Sequence, residues 1–219
     1  VTLPAYNEED TVGQMVSDIH RELAGEDYSV LVVSDGSEDN TEKVAAEAGA
    51  TVARKPHGGL GDTFREEMKI ACMVQPNIVV QIDADGQFLA SDIMRLVAEV
   101  RAGHDLVLGS RLHGNGNEMR RSRVLFNCVG AWGMRNWLQA DIADATTGFR
   151  AFTLDVARLP IENAYSYTTE QVIRASKAGF KIKSVPVTVK FRQHGESRHA
   201  RSAAKYIWQF IIGSRKVLR

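Results

Sequence analysis

The sequence predicts an α/β fold with a mainly parallel central sheet and helices on both faces. Three observations predict it. Short apolar runs, such as Asn77-Ile78-Val79-Val80 and Tyr28 to Val33, alternate with stretches of helical period. Runs that are apolar throughout are what strands covered on both faces require. The residues with chemistry to offer fall where such runs end: Asp35, Asp83 with Asp85, and Arg111. That is the edge at which open α/β sheets bind ligands.

Bulk composition sets bounds. At 219 residues, 44% hydrophobic and 25% charged, the chain has apolar material for one substantial core. We expect one domain over 1–191, then a basic loop and amphipathic helix over 192–219. The two cysteines, Cys72 and Cys128, give no framework of bridges. Cys72 lies in an apolar helical pattern and reads as a small core residue. No run is long enough for a transmembrane helix and no signal peptide is visible. The chain opens on Val1 in what reads as mid-strand, so a fragment of a longer protein is expected. Net charge is zero but segregated: residues 1–50 hold twelve Asp/Glu and two Lys/Arg, residues 192–219 seven Lys/Arg and one Glu. The C-terminal part therefore suits an anionic partner, or is an ordinary basic surface helix.

In order, Val1-Thr2-Leu3 reads as a strand stopped by Pro4. Asn7 is placed to cap the next helix, with Asp10 in its first turn. Val12, Met15, Val16, Ile19 and Leu23 recur at helical spacing and face a core. Tyr6 either stacks on a base or packs; Glu8 either meets a ligand or faces the helix dipole. Tyr28 to Val33 is a strand ending Ser34-Asp35-Gly36-Ser37. Asp35 there can accept from a ribose hydroxyl or base N–H, though a Gly-rich turn also accounts for the pattern. A helix follows from Asp39-Asn40-Thr41 to Gly49, then a short strand from Ala50 to Ala53. Arg54 to Gly61 resembles a phosphate loop but fails both patterns. With Gly59 and Gly61 as the first pair, the dinucleotide fingerprint ends on Phe64, and no Gly-Lys-Ser/Thr follows. It reads as a mobile loop near a nucleotide. A helix over 62–74 turns Phe64, Met68 and Ala71 inward.

The next strand delivers Gln81-Ile82-Asp83-Ala84-Asp85-Gly86-Gln87. Gly86 permits a sharp turn. Asp83 and Asp85, with the neutral oxygen of Gln87, suit a hard divalent cation such as Mg²⁺ riding on substrate phosphates; a solvated acidic turn is the plainer reading. Ser91-Asp92 start a helix with Ile93, Leu96, Val97 and Val100 inward, ended by Gly103. Asp105 to Leu108 is a strand leading to Gly109-Ser110-Arg111, whose guanidinium fork suits a diphosphate or acidic acceptor. A Gly/Asn-rich basic connection and a helix over Leu125 to Leu138 follow. Asp144 then precedes a Gly turn and a short strand, either positioning an acceptor or holding Arg150. Thr168 to Ala178 is a helix. Lys181 to Phe191 alternates and contains Pro186, which suggests a sheet edge. Lys205 to Leu218 is a final helix, apolar and basic at both ends, fit for a membrane interface or for packing on more protein.

Five motifs occur in order: Pro4-Ala5-Tyr6-Asn7-Glu8-Glu9, Asp35-Gly36-Ser37, Asp83-Ala84-Asp85-Gly86-Gln87, Gly109-Ser110-Arg111 and Thr147-Gly148-Phe149-Arg150. Together they resemble inverting family-2 glycosyltransferases of the GT-A fold, and within these dolichyl-phosphate mannose synthases and related polyprenyl-phosphate glycosyltransferases. Gly195-Glu196-Ser197 with Arg192 and Arg198 fits the narrower group. The resemblance implies that Pro4, Tyr6, Glu8, Val33 and Asp35 line a nucleotide pocket. Asp83 and Ala84 would meet the nucleotide-sugar, while Asp85 and Gln87 hold Mg²⁺ or Mn²⁺. Arg111 would sit at the sugar phosphate or acceptor phosphate, and Arg192 and Arg198 would close over the diphosphate. The family often has Lys where Arg198 stands. The implied partners are a nucleoside-diphosphate sugar, a polyprenyl phosphate and a membrane surface, with no nucleic acid. The implied place is the cytoplasmic face of a membrane. The expected reaction transfers a hexose, mannose from GDP-mannose or glucose from UDP-glucose, to an already ionised phosphate. Asp144 becomes the base only if the acceptor is a hydroxyl. An inactive nucleotide-sugar-binding protein and a Rossmann oxidoreductase are the readings from other classes.

Overall fold

Strands and helices alternate from the first residues onward, as the periodicity requires. The computed structural model describes residues 1–111, 140–162 and 166–190. In chain order the elements are β1 (Thr2–Ala5), α1 (Val12–Glu22), β2 (Leu31–Ser34), α2 (Thr41–Glu47), β3 (Thr51–Arg54), α3 (Leu60–Val74) and β4 (Ile78–Gln81). A short 3₁₀ turn (Ala90–Asp92) leads into α4 (Ile93–Arg101), then β5 (Leu106–Ser110), β6 (Arg150–Thr153), α5 (Leu154–Ala157), α6 (Tyr167–Lys177) and β7 (Ile182–Pro186).

The strands form one sheet in the order β3-β2-β1-β4-β6-β5-β7. The first four are parallel. β6 runs antiparallel between β4 and β5, and β5 is parallel to β7. β7 is an edge strand ending at Pro186, as its proline suggests. Alternate strand residues feed two apolar layers, because successive side chains point to opposite faces. On one face Leu3, Val32, Val80 and Val107 meet the inner stripes of α1 and α4. On the other, Val79, Leu106, Leu108 and Phe152 meet α3, α5 and α6. This is a mainly parallel sheet with helices on both faces, as the alternation of elements leads one to expect.

Some expectations need correction. The first strand does not stop at Pro4 but runs through it to Ala5, with Pro4 opposite Val33. The Ile82 amide donates to the Thr2 carbonyl, and Pro4 faces the same way as Thr2 along the strand. Its missing N–H thus falls beyond Thr2↔Gln81, the one register pair between β1 and β4. Asn7 does not cap α1. It sits at φ 53°, takes the Glu38 amide on its Oδ1 at 2.9 Å and donates its own amide to Ser37 Oγ. Cys72 is half-buried on the rim of α3, not in the core. The expected helix over Leu125 to Leu138, Arg192, Arg198 and the 192–219 segment lie outside the described residues.

Candidate active site

Parallel strands place their carboxyl ends on one edge, and antiparallel β6 adds its beginning there. The ends of β1, β2, β4 and β5 bring Tyr6, Glu8, Asp35, the 83–87 turn and Arg111 to that edge. The approach to β6 brings Asp144, Thr146 and Gly148.

The acidic turn is tied down on several sides. Asp85 Oδ1 accepts the Gln87 amide at 3.1 Å, closing the turn at Gly86 (φ 71°). Thr11, at the start of α1, donates its hydroxyl to the Ala84 carbonyl at 2.8 Å. The Gln87 carbonyl accepts the Lys190 amide. Ala84 itself is buried, so its side chain serves the core. Burial, then the charge of Asp85, pushes the Asp83 carboxyl up to about 7, against the pull of Arg111 and Arg150, and Glu8 adds to the rise. Asp85 and, more weakly, Glu8 thus set negative charge against Asp83, where the repulsion is costly. A divalent cation relieves that repulsion, and two carboxylates plus phosphate oxygens are a normal set for Mg²⁺. Among the described residues no three His, Cys, Asp or Glu side chains converge in ligand geometry. The residues present thus fit an ion completed by a bound diphosphate.

Gly148 closes the other side of Asp83. A Cβ there would lie 2.5 Å from Asp83 Oδ2 and 2.6 Å from Oδ1. We predict that Gly148→Ala swings this carboxylate away and lowers turnover about 10²-fold, the effect of roughly an ångström of misplacement. Because the clash is with a side-chain end, the unfolding midpoint should barely move. Steady-state kinetics and a urea titration of the same variant check both parts.

Arg111 is aimed by Asp144. Its Nε and Nη2 donate to the two Asp144 oxygens at 2.6 and 3.0 Å, and Nη2 also reaches Thr146 Oγ1 at 2.6 Å. Asp144 is 1% exposed. Burial raises its pKa, but the Arg111 charge and bonds from Arg111 and Thr146 outweigh it and hold the carboxyl below its usual range. Asp144 therefore holds Arg111, not Arg150, and so lowered a carboxylate is a poor base. Arg150 is instead fully buried. It donates to the carbonyls of Thr147 and Thr168 and to Gln171 Oε1.

The loop after β3 is not loose. Lys55 Nζ and the Gly58 amide meet Asp35 Oδ1 at 2.5 and 2.9 Å and the Gly59 amide meets Oδ2 at 2.8 Å, while His57 Nδ1 pairs with the Asp35 backbone carbonyl at 3.0 Å. Lys55 and the two glycine amides take up most of the acceptor capacity of the carboxylate. The loop passes directly over Gly36 (φ 73°), where a Cβ would meet the His57 amide nitrogen at 2.9 Å. Tyr6 packs on the His57 ring, centroids 4.5 Å apart. Val33 and Pro4 are buried within the sheet below. Sequence reasoning passed over Lys55 and His57 because a Gly-rich loop gives no sign of which acid it folds onto.

Burial pushes the Asp35 carboxyl up, but Lys55 and the two glycine amides outweigh it and leave a lowered pKa. A lowered folded-state pKa adds stability above the ordinary carboxylate range and loses it as pH falls through the folded value. Lys55→Met should remove part of this acid-sensitive stability. Urea midpoints of wild type and variant should differ at pH 6 and converge toward pH 3; a constant gap would show that Asp35 is not the group involved.

The sequence profile of Glycosyl transferase family 2 matches residues 1–158. The chain is 30% identical to polyprenol monophosphomannose synthase of Mycolicibacterium smegmatis, over 90% of this chain and 79% of that protein. It is 29% identical to glycosyltransferase AglJ of Haloferax volcanii, over 89% of this chain and 64% of that protein. Glucosyl-3-phosphoglycerate synthase from Mycobacterium tuberculosis, solved with Mn²⁺, UDP and glucosyl-3-phosphoglycerate, superposes with a TM-score of 0.67 at 21% identity, over 99% of this chain and 76% of that one.

Proposed function

The chain belongs to glycosyl transferase family 2, and from that premise we propose that it moves a hexose from a nucleoside-diphosphate hexose to a polyprenyl phosphate, with a divalent cation at Asp83 and Asp85. The observation that carries this reading is the pair Asp83 and Asp85 at the end of β4, on the same sheet edge as Arg111, whose fork Asp144 fixes.

Mg²⁺ or Mn²⁺, held by Asp83 and Asp85 with Gln87 alongside, would offset the charge that builds on a departing diphosphate. Tyr6, with the Asp35 loop behind it, would receive the base and ribose. Arg111 has 20% of its side chain exposed and its fork is fixed by Asp144 and Thr146. It would hold the acceptor phosphate oxygens in line with the anomeric carbon. That oxygen is already ionised near neutral pH, so no residue need take a proton from it, and Asp144 is left to aim Arg111. One displacement inverts the anomeric centre; product of retained configuration would end this mechanism. Arg192 and Arg198 are assigned to the diphosphate by resemblance alone. A lipid acceptor would bring the protein to a membrane surface, its cytoplasmic face in this reading. Among the described residues no helix is long and apolar enough to cross one.

Two donors are supported. The superposed synthase was solved with UDP and Mn²⁺, which favours UDP-glucose. The mycolicibacterial relative is named a monophosphomannose synthase, which favours GDP-mannose. Calorimetric titration of each, with Mn²⁺ and with chelator, separates them. Metal-dependent binding of one identifies the donor. Tight binding that ignores metal removes Asp83 and Asp85 from the mechanism. An inactive binding protein would bind donor yet transfer nothing to a polyprenyl phosphate or a sugar acceptor.

A further inference from the structure

On the face of the sheet covered by α3 and α6, the apolar layer is interrupted directly behind the acidic turn. Glu67 on α3 and Gln81, the last residue of β4, are both fully buried. Gln81 Nε2 donates to Glu67 Oε2 at 3.0 Å and lies 3.4 Å from the Tyr167 hydroxyl. The other oxygen of each side chain, Glu67 Oε1 and Gln81 Oε1, is buried with no hydrogen-bond partner. Two orphaned acceptors on one bonded pair are costly. The Thr2 hydroxyl, also buried without a partner, can answer Glu67 but not Gln81; a proton on Glu67 answers Gln81 Oε1 as well, because a neutral carboxyl and an amide can each donate to and accept from the other.

We propose that Glu67 is a neutral carboxylic acid in the folded protein, and that its two-point pairing with Gln81 makes it a positioning residue for the Asp83–Gln87 turn. The charged and titratable groups around it agree. Asp83 beyond β4 repels a negative charge at Glu67, and Tyr167 on α6 offers a buried phenol, with the Arg150 guanidinium 6.0 Å from its ring centre. Burial, then Asp83, pushes Glu67 up from 4.5 to about 8, with the Thr2 hydroxyl and Gln81 pulling the other way. Gln81 is two residues from Asp83, so whatever fixes its side chain fixes the strand end from which the turn departs.

Glu67→Gln, a neutral near-isostere, is the test. A carboxyl whose pKa is higher folded than unfolded contributes fully below the unfolded value and loses that contribution as pH rises through the folded one. The ratio of folding constants, wild type over Glu67→Gln, should fall about tenfold per pH unit from near pH 4.5 toward pH 8, then level. A ratio that is flat over this window overturns the neutral acid. Amide hydrogen exchange reads the positioning. Corrected for intrinsic rates, the rise in exchange at Asp83–Gln87 from pH 6 to pH 9 should be severalfold larger in wild type than in the variant, where Asp83 alone titrates in this window. The same rise in both would leave Glu67 without a positioning role. Should Glu67→Gln not fold, carbon NMR of wild type labelled at glutamate carboxyls reads the ionisation directly. A Glu67 resonance titrating near its ordinary value would overturn the proposal, and one titrating near pH 8 supports it. None of these readouts needs a donor, so a failure of the transferase reading would leave them unaffected.

Discussion

Replacing Asp85 with Asn will lower sugar transfer by about 10³-fold, the scale at which charge-stabilising groups act on a developing anion, and will leave the fold as stable as before or more so. The two halves of this result have one cause. In the folded protein the Asp85 carboxylate raises the pKa of Asp83, second only to burial. Asn removes that repulsion and keeps an oxygen that can still accept the Gln87 amide. What is lost is one of the two negative charges that would hold a divalent cation there. Transfer measured across a Mn²⁺ series, with a urea titration alongside, checks both halves. A variant within threefold of wild type at saturating metal would dismiss the ion-binding role. Lower stability together with lost activity would instead make Asp85 a structural residue of the turn.

Arg150→Met will cost about 3–5 kcal/mol of folding stability, the usual penalty for breaking a buried charged network from one side. Arg150 is the largest of the fully buried side chains. Its fork joins three separate pieces of backbone or side chain: the Thr147 carbonyl before β6, the Thr168 carbonyl on α6 and Gln171 Oε1. Methionine fills some of the volume but leaves those acceptors buried and unanswered. Against a total stability of roughly 5–15 kcal/mol, such a loss leaves little in reserve. Arg150→Lys should fall between, since one ammonium cannot meet three acceptors set for a planar fork. Denaturant midpoints of the three proteins give the order. A methionine variant within about 0.5 kcal/mol of wild type, the range of ordinary surface substitutions, would mean that the network is dispensable.

Much of the fold was legible because buried strands and amphipathic helices write themselves as apolar periods. The inward stripes of α1, α3 and α4 are those the spacing indicates, and Pro186 does mark an edge. The clustering of Asp83, Asp85 and Arg111 was legible too, since strand ends in a parallel sheet share an edge. Pairings between distant residues were not. Nothing local says that Asp144 meets Arg111 across 33 positions, or that Lys55 folds back on Asp35. Asn7 is a sound helix cap by type, yet its backbone takes a left-handed turn and its side chain crosses to Glu38. Glu67 did leave a trace: it stands between Phe64, Met68 and Ala71 on the inward stripe of α3, where a charged residue needs a reason.

The antiparallel insertion of β6 also sets a timetable for the nascent chain. β1, β2 and β3 pair with near neighbours in sequence and can assemble soon after they emerge. β4 cannot finish: its second edge pairs with Arg150–Thr153, roughly seventy residues later. At ordinary rates of synthesis that strand stays half-paired for on the order of several seconds. Through that interval Ile78-Val79-Val80 offers an apolar, hydrogen-bonding edge to anything nearby. Premature association during translation should therefore concentrate at β4, and truncations ending between the acidic turn and β6 should be far more prone to aggregate than those ending after Thr153.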